Sequence, residues 1–163
     1  MKSKHICVLG AGLMGVGIAT HFVRYGHDVW LYDTDSNRIA DIGAVASGIL
    51  DELIATEQFP KNDKEQAVSR LHGTTSLHDI AACGLLIEAI PERLELKHAL
   101  YAQLEALIAP EAVIASNTSG LPPDALAEKL AHPERLLIAH FWNPPHFIPL
   151  VEIVPGTATK PEY

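Results

Sequence analysis

The sequence predicts an α/β domain with a doubly wound, mostly parallel sheet. Apolar runs of four or five residues, typical of buried strands, alternate along the chain with longer segments that have a helical apolar period. This alternation predicts a parallel sheet with helices on both faces. A glycine-rich turn joins the first run to the first helical segment, and polar residues follow the later runs. Together these observations predict one ligand site at the carboxyl edge of the sheet.

Length and composition suit a single folded domain. The 163 residues are 48% hydrophobic and 20% charged, which excludes a disordered chain and a disulfide scaffold. A net charge of −8 argues against nucleic acid and anionic membranes as partners. Cys7 and Cys83 lie in or beside apolar runs. We therefore expect both to be reduced core residues of a cytoplasmic protein.

The first residues imitate a secretory signal peptide. Lys2 and Lys4 precede an apolar run over residues 6–19, as basic residues precede the apolar region of such a peptide. That run contains four glycines, and each glycine costs a helix about 1 kcal/mol relative to alanine. We therefore expect the run to belong to the folded domain.

The first half of the chain contains two predicted strands and three helices. Gly26 ends the first helix, Ser36 is expected to cap the second, and Asp63 with Gln66 resembles a capping box for the third. In order, these elements are the strand Ile6–Leu9, a helix over 13–25, the strand Val29–Tyr32, a long helix from Ser36 to before Pro60, and a shorter helix from Asp63 to near Gly73.

The second half continues the alternation. Pro91 suits the first turn of a helix, because its missing N–H has no partner there in any case. In order, the predicted elements are a strand over 85–89, a helix over 91–110, a strand over 112–115, a short helix over 122–130, and strands over 136–139 and 150–154.

The turn after the first strand is a dinucleotide-binding fingerprint of the Rossmann type. The first glycine makes the turn, the second lets the backbone approach a pyrophosphate, and the third lets the helix pack on the strand. Asp33 follows about 20 residues later at the end of the second strand, where a ribose hydroxyl is expected. A 2′-phosphate about 4 Å away would cost on the order of 4 kcal/mol per unit charge, so NAD is expected rather than NADP. The fingerprint comprises Gly10, Ala11, Gly12, Leu13, Met14 and Gly15.

His140 and Glu152 lie twelve residues apart on what are expected to be neighbouring strands. A carboxylate that fixes the tautomer of a histidine makes it a better base, so the pair is a candidate catalytic dyad. A histidine at a strand end with a solvated glutamate is the other interpretation, and the residues alone leave both open. Ser119 has no adjacent base in sequence and is open to a helix-capping role. The remaining histidines lack metal-ligand spacing and are expected on the surface.

Three segments of the chain together carry a family resemblance. They are the fingerprint, Ile87-Glu88-Ala89-Ile90-Pro91-Glu92-Arg93-Leu94-Glu95-Leu96-Lys97, and Ser116-Asn117-Thr118-Ser119 with His140-Phe141-Trp142-Asn143-Pro144 and Val151-Glu152. Together they resemble the N-terminal domain of the 3-hydroxyacyl-CoA dehydrogenases. The resemblance spans nearly the whole chain and implies that the family's helical C-terminal domain lies outside residues 1–163, which form the dinucleotide-binding domain. It also implies fatty acid metabolism and a homodimer for the full-length protein.

The resemblance assigns roles to individual residues. It implies that Glu92, Lys97 and Asn143 contact the nicotinamide half of NAD. His140 is implied to be the general base, Glu152 its orienting partner, and Ser119 the residue that holds the substrate oxygen. Asn117 and Ser119 complete the expected cofactor-binding set.

The expected substrate is a 3-hydroxyacyl-CoA, with a small free 3-hydroxy acid or polar alcohol as the alternative. The family binds coenzyme A with a lysine and a serine after the second strand, but here six acidic residues and one base, Arg38, lie between Asp33 and Glu57. Coenzyme A phosphates then need Lys61, Lys64 or Arg70. Residues 143–150 are also similar to the gulonate dehydrogenase and lambda-crystallin branch, and a non-catalytic NAD-binding module is a further alternative.

Overall fold

The computed structural model describes residues 5–163, which form a seven-stranded sheet flanked by helices. Lys2 and Lys4 lie outside the described residues, and the glycine-containing run after them forms the first strand and helix. The elements are β1 (Ile6–Leu9), α1 (Leu13–Arg24), β2 (Val29–Tyr32), α2 (Ser36–Ala55), α3 (Lys64–Ser69), β3 (Leu71–Thr74), β4 (Leu85–Glu88), α4 (Leu94–Glu105), β5 (Val113–Ser116), α5 (Pro123–Ala127), β6 (Leu136–Phe141) and β7 (Val151–Pro155).

The sheet has the strand order β3-β2-β1-β4-β5-β6-β7. The first six strands are parallel, and β7 runs antiparallel to β6 at the edge. Alternate residues of β1 enter the two cores: Ile6 and Val8 pack with α1 and α2, whereas Cys7 and Leu9 pack with α4. The predicted doubly wound α/β fold is confirmed.

The third strand, β3, was not predicted. The sequence predicts a helix up to about Gly73, but α3 ends at Ser69 and residues Leu71–Thr74 pair in parallel with β2. A Cβ atom at Gly73 would lie 2.7 Å from the side chains of both Ile39 and Ile42. Glycine is therefore needed where α2 crosses this strand, and a helix-ending glycine was the wrong interpretation.

Three helix starts also differ from the prediction. Asp35, not Ser36, caps α2, because its carboxylate accepts a hydrogen bond from the backbone N–H of Asn37. Asp63 precedes α3 but makes no capping hydrogen bond, since a short 3-10 turn (Lys61–Asp63) comes first. Helix α4 begins at Leu94 rather than at Pro91.

Both cysteines are free and buried, as predicted. Cys7 and Cys83 pack in the core cluster on the α4 side of the sheet. Within residues 5–163, none of the helices combines the length and the apolar character needed to cross a membrane.

Candidate active site

The turn between β1 and α1 has the geometry of a pyrophosphate-binding loop. Gly10 has a φ of +105°, and a Cβ atom there would lie 2.8 Å from the carbonyl oxygen of Ala89. A Cβ at Gly15 would lie only 1.7 Å from the Gly10 carbonyl oxygen, so α1 can approach β1 only because residue 15 is glycine. Gly12 faces open space. The turn at Gly10 and the close helix packing at Gly15 match the roles predicted for them, and the open space at Gly12 leaves room for the predicted pyrophosphate contact.

The N-terminus of α1 is free to bind an anion. Gly12 is the N-cap and offers no side chain, and no acidic residue lies in the first turn. The first backbone N–H groups of the helix therefore keep their hydrogen-bonding capacity and the partial positive charge of the helix end. Leu13, at the start of the helix, is 78% exposed. This open, uncapped turn fits the pyrophosphate of a dinucleotide.

Asp33 lies beside this turn at the end of β2. Its carboxylate accepts hydrogen bonds from the backbone N–H groups of Ala11 (2.7 Å) and Asp35 (2.9 Å), which fix its orientation. Arg38, at the start of α2, places its guanidinium 3.7 Å from both Asp33 and Asp35. Sequence analysis identified Asp33 but gave no role to Arg38. The position of Arg38 five residues after Asp33, near the start of the next helix, could have indicated that the two side chains lie close together.

A buried ion pair lies at the end of β4. Glu88 is fully buried, and its two carboxylate oxygens accept hydrogen bonds from the Lys97 ammonium at 2.7 and 2.9 Å. Lys97 is 1% exposed and also lies 3.2 Å from a carboxylate oxygen of Glu92. Three carboxylate oxygens therefore lie within 3.2 Å of the Lys97 ammonium, two of them as hydrogen-bond acceptors and the third as an ion-pair partner. The contact of Lys97 with a cofactor stays a prediction.

The Glu92 carboxylate accepts hydrogen bonds from the loop after β5. Its Oε1 atom accepts hydrogen bonds from the Thr118 hydroxyl and from the backbone N–H groups of Ser119 and Gly120, the latter two at 3.2 Å. Burial raises the pKa of the Glu92 carboxyl, but Thr118 and Lys97 outweigh it and leave the pKa below its usual value. Sequence analysis missed the part played by Thr118 and Gly120.

His140 lies between Ser119 and Glu152. The register of β6 and β7 places Glu152 directly opposite His140, and the Glu152 carboxylate lies 2.8 Å from His140 Nδ1. The Ser119 hydroxyl lies 3.1 Å from Nε2 on the other side of the ring. Because a carboxylate only accepts hydrogen bonds, Nδ1 carries the hydrogen and Nε2 of the neutral ring is the basic atom. The structure thus places these three predicted residues together.

Trp142 is a further member of this group that sequence analysis did not identify. Its indole N–H donates to the same Glu152 oxygen at 3.1 Å. The hydrogen bonds from His140 and Trp142 lower the pKa of the Glu152 carboxyl, so it is a carboxylate at neutral pH. Two donors on one oxygen also hold the carboxylate in the plane needed to orient the imidazole.

The two asparagines of the predicted cofactor set differ in their surroundings. The Asn117 side-chain oxygen accepts a hydrogen bond from the backbone N–H of Phe141 at 2.8 Å, which ties the end of β5 to β6 beside His140. Asn143 is exposed on the loop that follows β6. Asn117 therefore shapes the strand end that carries His140, and Asn143 has a side chain accessible to a ligand.

The prediction that the other histidines are solvated is wrong for at least three of them, among them His21, whose Nδ1 atom is buried. His98 is 8% exposed, and its Nε2 atom lies 2.8 Å from the Ala125 carbonyl oxygen. The side chain of His146 is 10% exposed and packs near Arg24 and Glu52. In the described part of the chain, no three His, Cys, Asp or Glu side chains come together as a metal site.

The hydrogen bonds from Ser119 to His140 and from His140 to Glu152 resemble those of the catalytic triad of a hydrolase. Acyl transfer, however, needs more than these three side chains. Hydrolases of that kind stabilise a developing oxyanion with backbone N–H groups near the serine. Here the N–H groups of Ser119 and Gly120 point at the Glu92 carboxylate. A negative charge at that position opposes an oxyanion, so the arrangement favours proton transfer by His140.

The fold and this edge of the sheet define a class of protein, a dinucleotide-binding domain of the dehydrogenase type. A family model described as "3-hydroxyacyl-CoA dehydrogenase, NAD binding domain" matches residues 5–163. The chain belongs to this family of NAD-binding domains. The resemblance seen in the sequence is therefore confirmed.

Individual relatives agree with this family. The chain is 36% identical to a 3-hydroxybutyryl-CoA dehydrogenase of Bradyrhizobium diazoefficiens, over 96% of this chain and 53% of the relative. It is 36% identical to an L-carnitine dehydrogenase/betainyl-CoA thioesterase of Agrobacterium fabrum, over 93% of this chain and 31% of the relative. A crystal structure of 3-hydroxybutyryl-CoA dehydrogenase from Escherichia coli superposes with a TM-score of 0.93 and 35% identity, covering 99% of this chain and 34% of that one. The chain thus spans between a third and about half of the length of these proteins.

Proposed function

We propose that the full-length protein oxidises a 3-hydroxyl group to a 3-oxo group with NAD, and that a 3-hydroxyacyl-CoA such as 3-hydroxybutyryl-CoA is its leading substrate. The observation that carries the proposal is the row of Ser119, His140 and Glu152 at the sheet edge that also holds the dinucleotide turn. Two of the similar proteins described above are named for 3-hydroxybutyryl-CoA, which supports this choice of substrate.

The residues divide the chemistry among them. Ser119 holds the substrate oxygen through its hydroxyl, and His140 Nε2 takes the proton from the substrate hydroxyl. Glu152 stabilises the imidazolium that forms and keeps the ring in the tautomer with Nδ1–H. NAD bound at the glycine turn supplies the hydride acceptor. Glu92 and Asn143 bind the nicotinamide half, with Lys97 acting on it through Glu92.

A small free 3-hydroxy acid or polar alcohol is the second candidate substrate. The segment from Asp33 to Glu57 has six acidic residues and one basic residue, and this charge repels the phosphates of coenzyme A. One relative is named for the dehydrogenation of L-carnitine, which is not a coenzyme A thioester. A module that binds NAD without turnover is the third alternative.

The test is NADH production by the full-length protein with 3-hydroxybutyryl-CoA, free 3-hydroxybutyrate, L-carnitine and gulonate. We expect the highest kcat/KM with the coenzyme A ester, and a higher value for a free acid would move the assignment to the second candidate. His140→Ala should lower kcat by about 10²–10⁴, typical of a lost general base, and Glu152→Gln should lower it less. His27→Ala, an exposed histidine before β2, is the matched control.

The proposal fails if the unaltered protein binds NAD but turns over none of these substrates. It also fails if His140→Ala retains near-normal turnover, because Ser119 is not a base at neutral pH and the Glu152 carboxylate is a much weaker base than an imidazole. In that case the non-catalytic module becomes the better description.

We also propose a homodimeric, cytoplasmic full-length protein that binds neither nucleic acid nor membranes. The acidic charge of −8 supports the lack of nucleic acid and anionic membrane binding. Exposed apolar side chains on the edge strand β7, among them Ile153 at 60% exposure, support association with other protein surface. Size-exclusion chromatography with light scattering tests the dimer.

A further inference from the structure

The buried ion pair beneath the site has more hydrogen bonds than a surface pair would have. Besides the Lys97 ammonium, the Glu88 carboxylate accepts hydrogen bonds from the Tyr101 hydroxyl (2.7 Å), the Ser116 hydroxyl (2.6 Å) and the backbone N–H of Ile90 (2.9 Å). Burial, followed by the charge of Glu88, raises the pKa of Tyr101, so its hydroxyl remains a donor. The Glu88 carboxylate is therefore fixed from several sides.

An ion pair in this position is not explained by stability. Removing two charges from water costs as much as or more than their attraction returns, and well-packed apolar residues often stabilise a core equally well. Glu88 and Lys97 are 0% and 1% exposed, so they bear this desolvation in full. A role in fixing the geometry of something else accounts better for the pair.

Lys97 connects the buried carboxylate to one near the surface. The Lys97 ammonium also forms an ion pair, at 3.2 Å, with Oε2 of Glu92, whose side chain is 46% exposed. The other oxygen of Glu92 accepts from Thr118, Ser119 and Gly120 in the loop after β5. Glu92 is thus held on one side by the ammonium and itself holds the loop on the other.

The same loop carries the hydroxyl that contacts the proposed base. Ser119 Oγ lies 3.1 Å from His140 Nε2, and residues 119 and 120 are both exposed. Thr118 is buried and anchors one end of this loop. The exposed residues 119 and 120 have little packing, so the Glu92 hydrogen bonds contribute most to their position. Hydrogen bonds and one ion pair therefore connect Glu88 through Lys97 and Glu92 to Ser119.

We propose that Glu88 and Lys97 are positioning residues: they fix the Glu92 carboxylate, and Glu92 fixes the 118–120 loop so that the Ser119 hydroxyl stays within hydrogen-bonding distance of His140. The catalytic meaning of this arrangement rests on the proposed function, whereas the positioning itself does not. A misplacement of about 1 Å in a reacting geometry can reduce turnover about 10²-fold. Neither Glu88 nor Lys97 needs to touch the substrate for this effect.

The experiment measures backbone motion in the loop of this chain. The double variant Glu88→Gln/Lys97→Met removes both buried charges together, so no unpaired charge is left behind. We expect the ¹⁵N order parameters of Ser119 and Gly120 to fall from about 0.85, typical of rigid backbone, to below about 0.6. Tyr101→Phe is the matched control, because it removes one donor from the same Glu88 carboxylate and leaves the Lys97 link intact. Its order parameters at residues 119 and 120 should match those of the unaltered chain.

A folded double variant with unchanged order parameters at Ser119 and Gly120 overturns the proposal. If the double variant does not fold, Glu92→Gln decides, because this half-exposed side chain is not part of the core. Glutamine keeps an acceptor for the loop but loses the charge that Lys97 attracts, so the loop should again become mobile. A rigid loop in Glu92→Gln overturns the proposal in the same way.

Kinetics of the full-length protein separate this proposal from the proposed function. We expect Glu88→Gln/Lys97→Met to lower kcat about 10²-fold with little change in the KM of the substrate, and Tyr101→Phe to change neither. If the unaltered protein oxidises no substrate, the proposed function fails, while the order parameters still decide whether Glu88 and Lys97 position the loop. Normal kcat in the double variant contradicts the positioning role.

Discussion

The two halves of the site are built in different ways. The dinucleotide turn uses mainly backbone: three glycines within six residues and the uncapped end of α1, with Asp33 and Arg38 as a charged pair beside it. The catalytic half uses side chains from β6, β7 and the segments after β4 and β5, joined by hydrogen bonds across 12 to 28 residues of sequence. Binding of NAD should therefore depend on local chain geometry, and turnover on the assembly of distant segments.

The largest expected effect is a difference between NAD binding and substrate turnover by this chain. The glycine turn, Asp33 and His140 all lie within this chain, but Glu152 is half exposed to solvent and His140 a quarter exposed. We expect the 163-residue chain to bind NAD in a calorimetric titration. We expect it to show no turnover with 3-hydroxybutyryl-CoA or a free 3-hydroxy acid, because positioning a substrate supplies about 7–11 kcal/mol of the barrier and needs groups on both sides.

Turnover on the order of 1 per second from this chain would contradict this prediction, since that rate is typical of intact enzymes. It would mean that the two halves of the site are sufficient without any further surface over the substrate.

Substitutions of Gly15 and Gly12 test whether the glycine turn serves the packing of α1 and the binding of NAD separately. Gly15→Ala should lower the free energy of unfolding by about 1–3 kcal/mol, because its Cβ collides with the Gly10 carbonyl oxygen and forces α1 away from β1. Gly12→Ala has open space around its Cβ and should leave stability nearly unchanged. Both should weaken NAD binding at least tenfold, about 1.4 kcal/mol. Denaturant unfolding and calorimetry measure the two effects; equal losses of stability would show that the turn does not separate packing from binding.

The preference for NAD over NADP tests the charged pair of Asp33 and Arg38. NAD should bind at least tenfold more tightly than NADP because of the Asp33 carboxylate. Asp33→Ala should reduce the difference in affinity between NAD and NADP. The substitution removes the repulsion between the carboxylate and a 2′-phosphate, and it frees the Arg38 guanidinium, which lies 3.7 Å from Asp33, to bind that phosphate. In Asp33→Ala/Arg38→Gln the affinity for NADP should fall again. Equal affinity of the unaltered chain for both cofactors would refute the role of Asp33.

The smallest expected effect concerns the basic residues that are predicted to bind the phosphates of coenzyme A. Lys64 pairs with Asp51 at 2.7 Å beyond the middle of α2, and Lys61 lies in the turn before α3. Reversing both charges to glutamate in the full-length protein should raise the KM for an acyl-CoA a few-fold and leave the KM for a free hydroxy acid unchanged, with Lys129→Glu as control. An unchanged KM for the acyl-CoA favours the small substrate.

Arg70, the third basic residue considered for coenzyme A, directly follows α3, the helix that begins at Lys64. Its carbonyl oxygen accepts a hydrogen bond from the backbone N–H of Val29 at the start of β2. Arg70 therefore lies at the amino edge of the sheet, and its part in binding coenzyme A stays a prediction.

What the sequence predicts well is what depends on local spacing. The glycines and Asp33 were predicted because the fingerprint fixes them relative to one strand and one helix. Strand β3 was missed because Leu-His-Gly-Thr has neither an apolar run nor alternation, and its place depends on α2 crossing over Gly73. His98 was assigned to the surface because no local pattern reveals its hydrogen bond to Ala125, which is 27 residues away.

Within the catalytic half, sequence identified residues but not their contacts. The residues alone left the pairing of His140 with Glu152 open, and only the antiparallel register of β6 and β7 places them opposite each other. Lys97 was expected at the cofactor, yet its ammonium is buried against Glu88 and Glu92. The signal for this was the position of Glu88 as the last residue of an apolar run, where an acid must find donors.

The Glu92 carboxylate on the Ser119 and Gly120 amides has a consequence for chemical selectivity. A dehydrogenase acting on a thioester holds a serine, a histidine and a carboxylate in line beside a bond that such a trio readily hydrolyses elsewhere. With the nearby amides directed at a fixed negative charge, a tetrahedral thioester adduct finds no stabilising donors there. With an acyl-CoA as the proposed substrate, the same hydrogen bonds that hold the loop would protect the thioester while the 3-hydroxyl is oxidised.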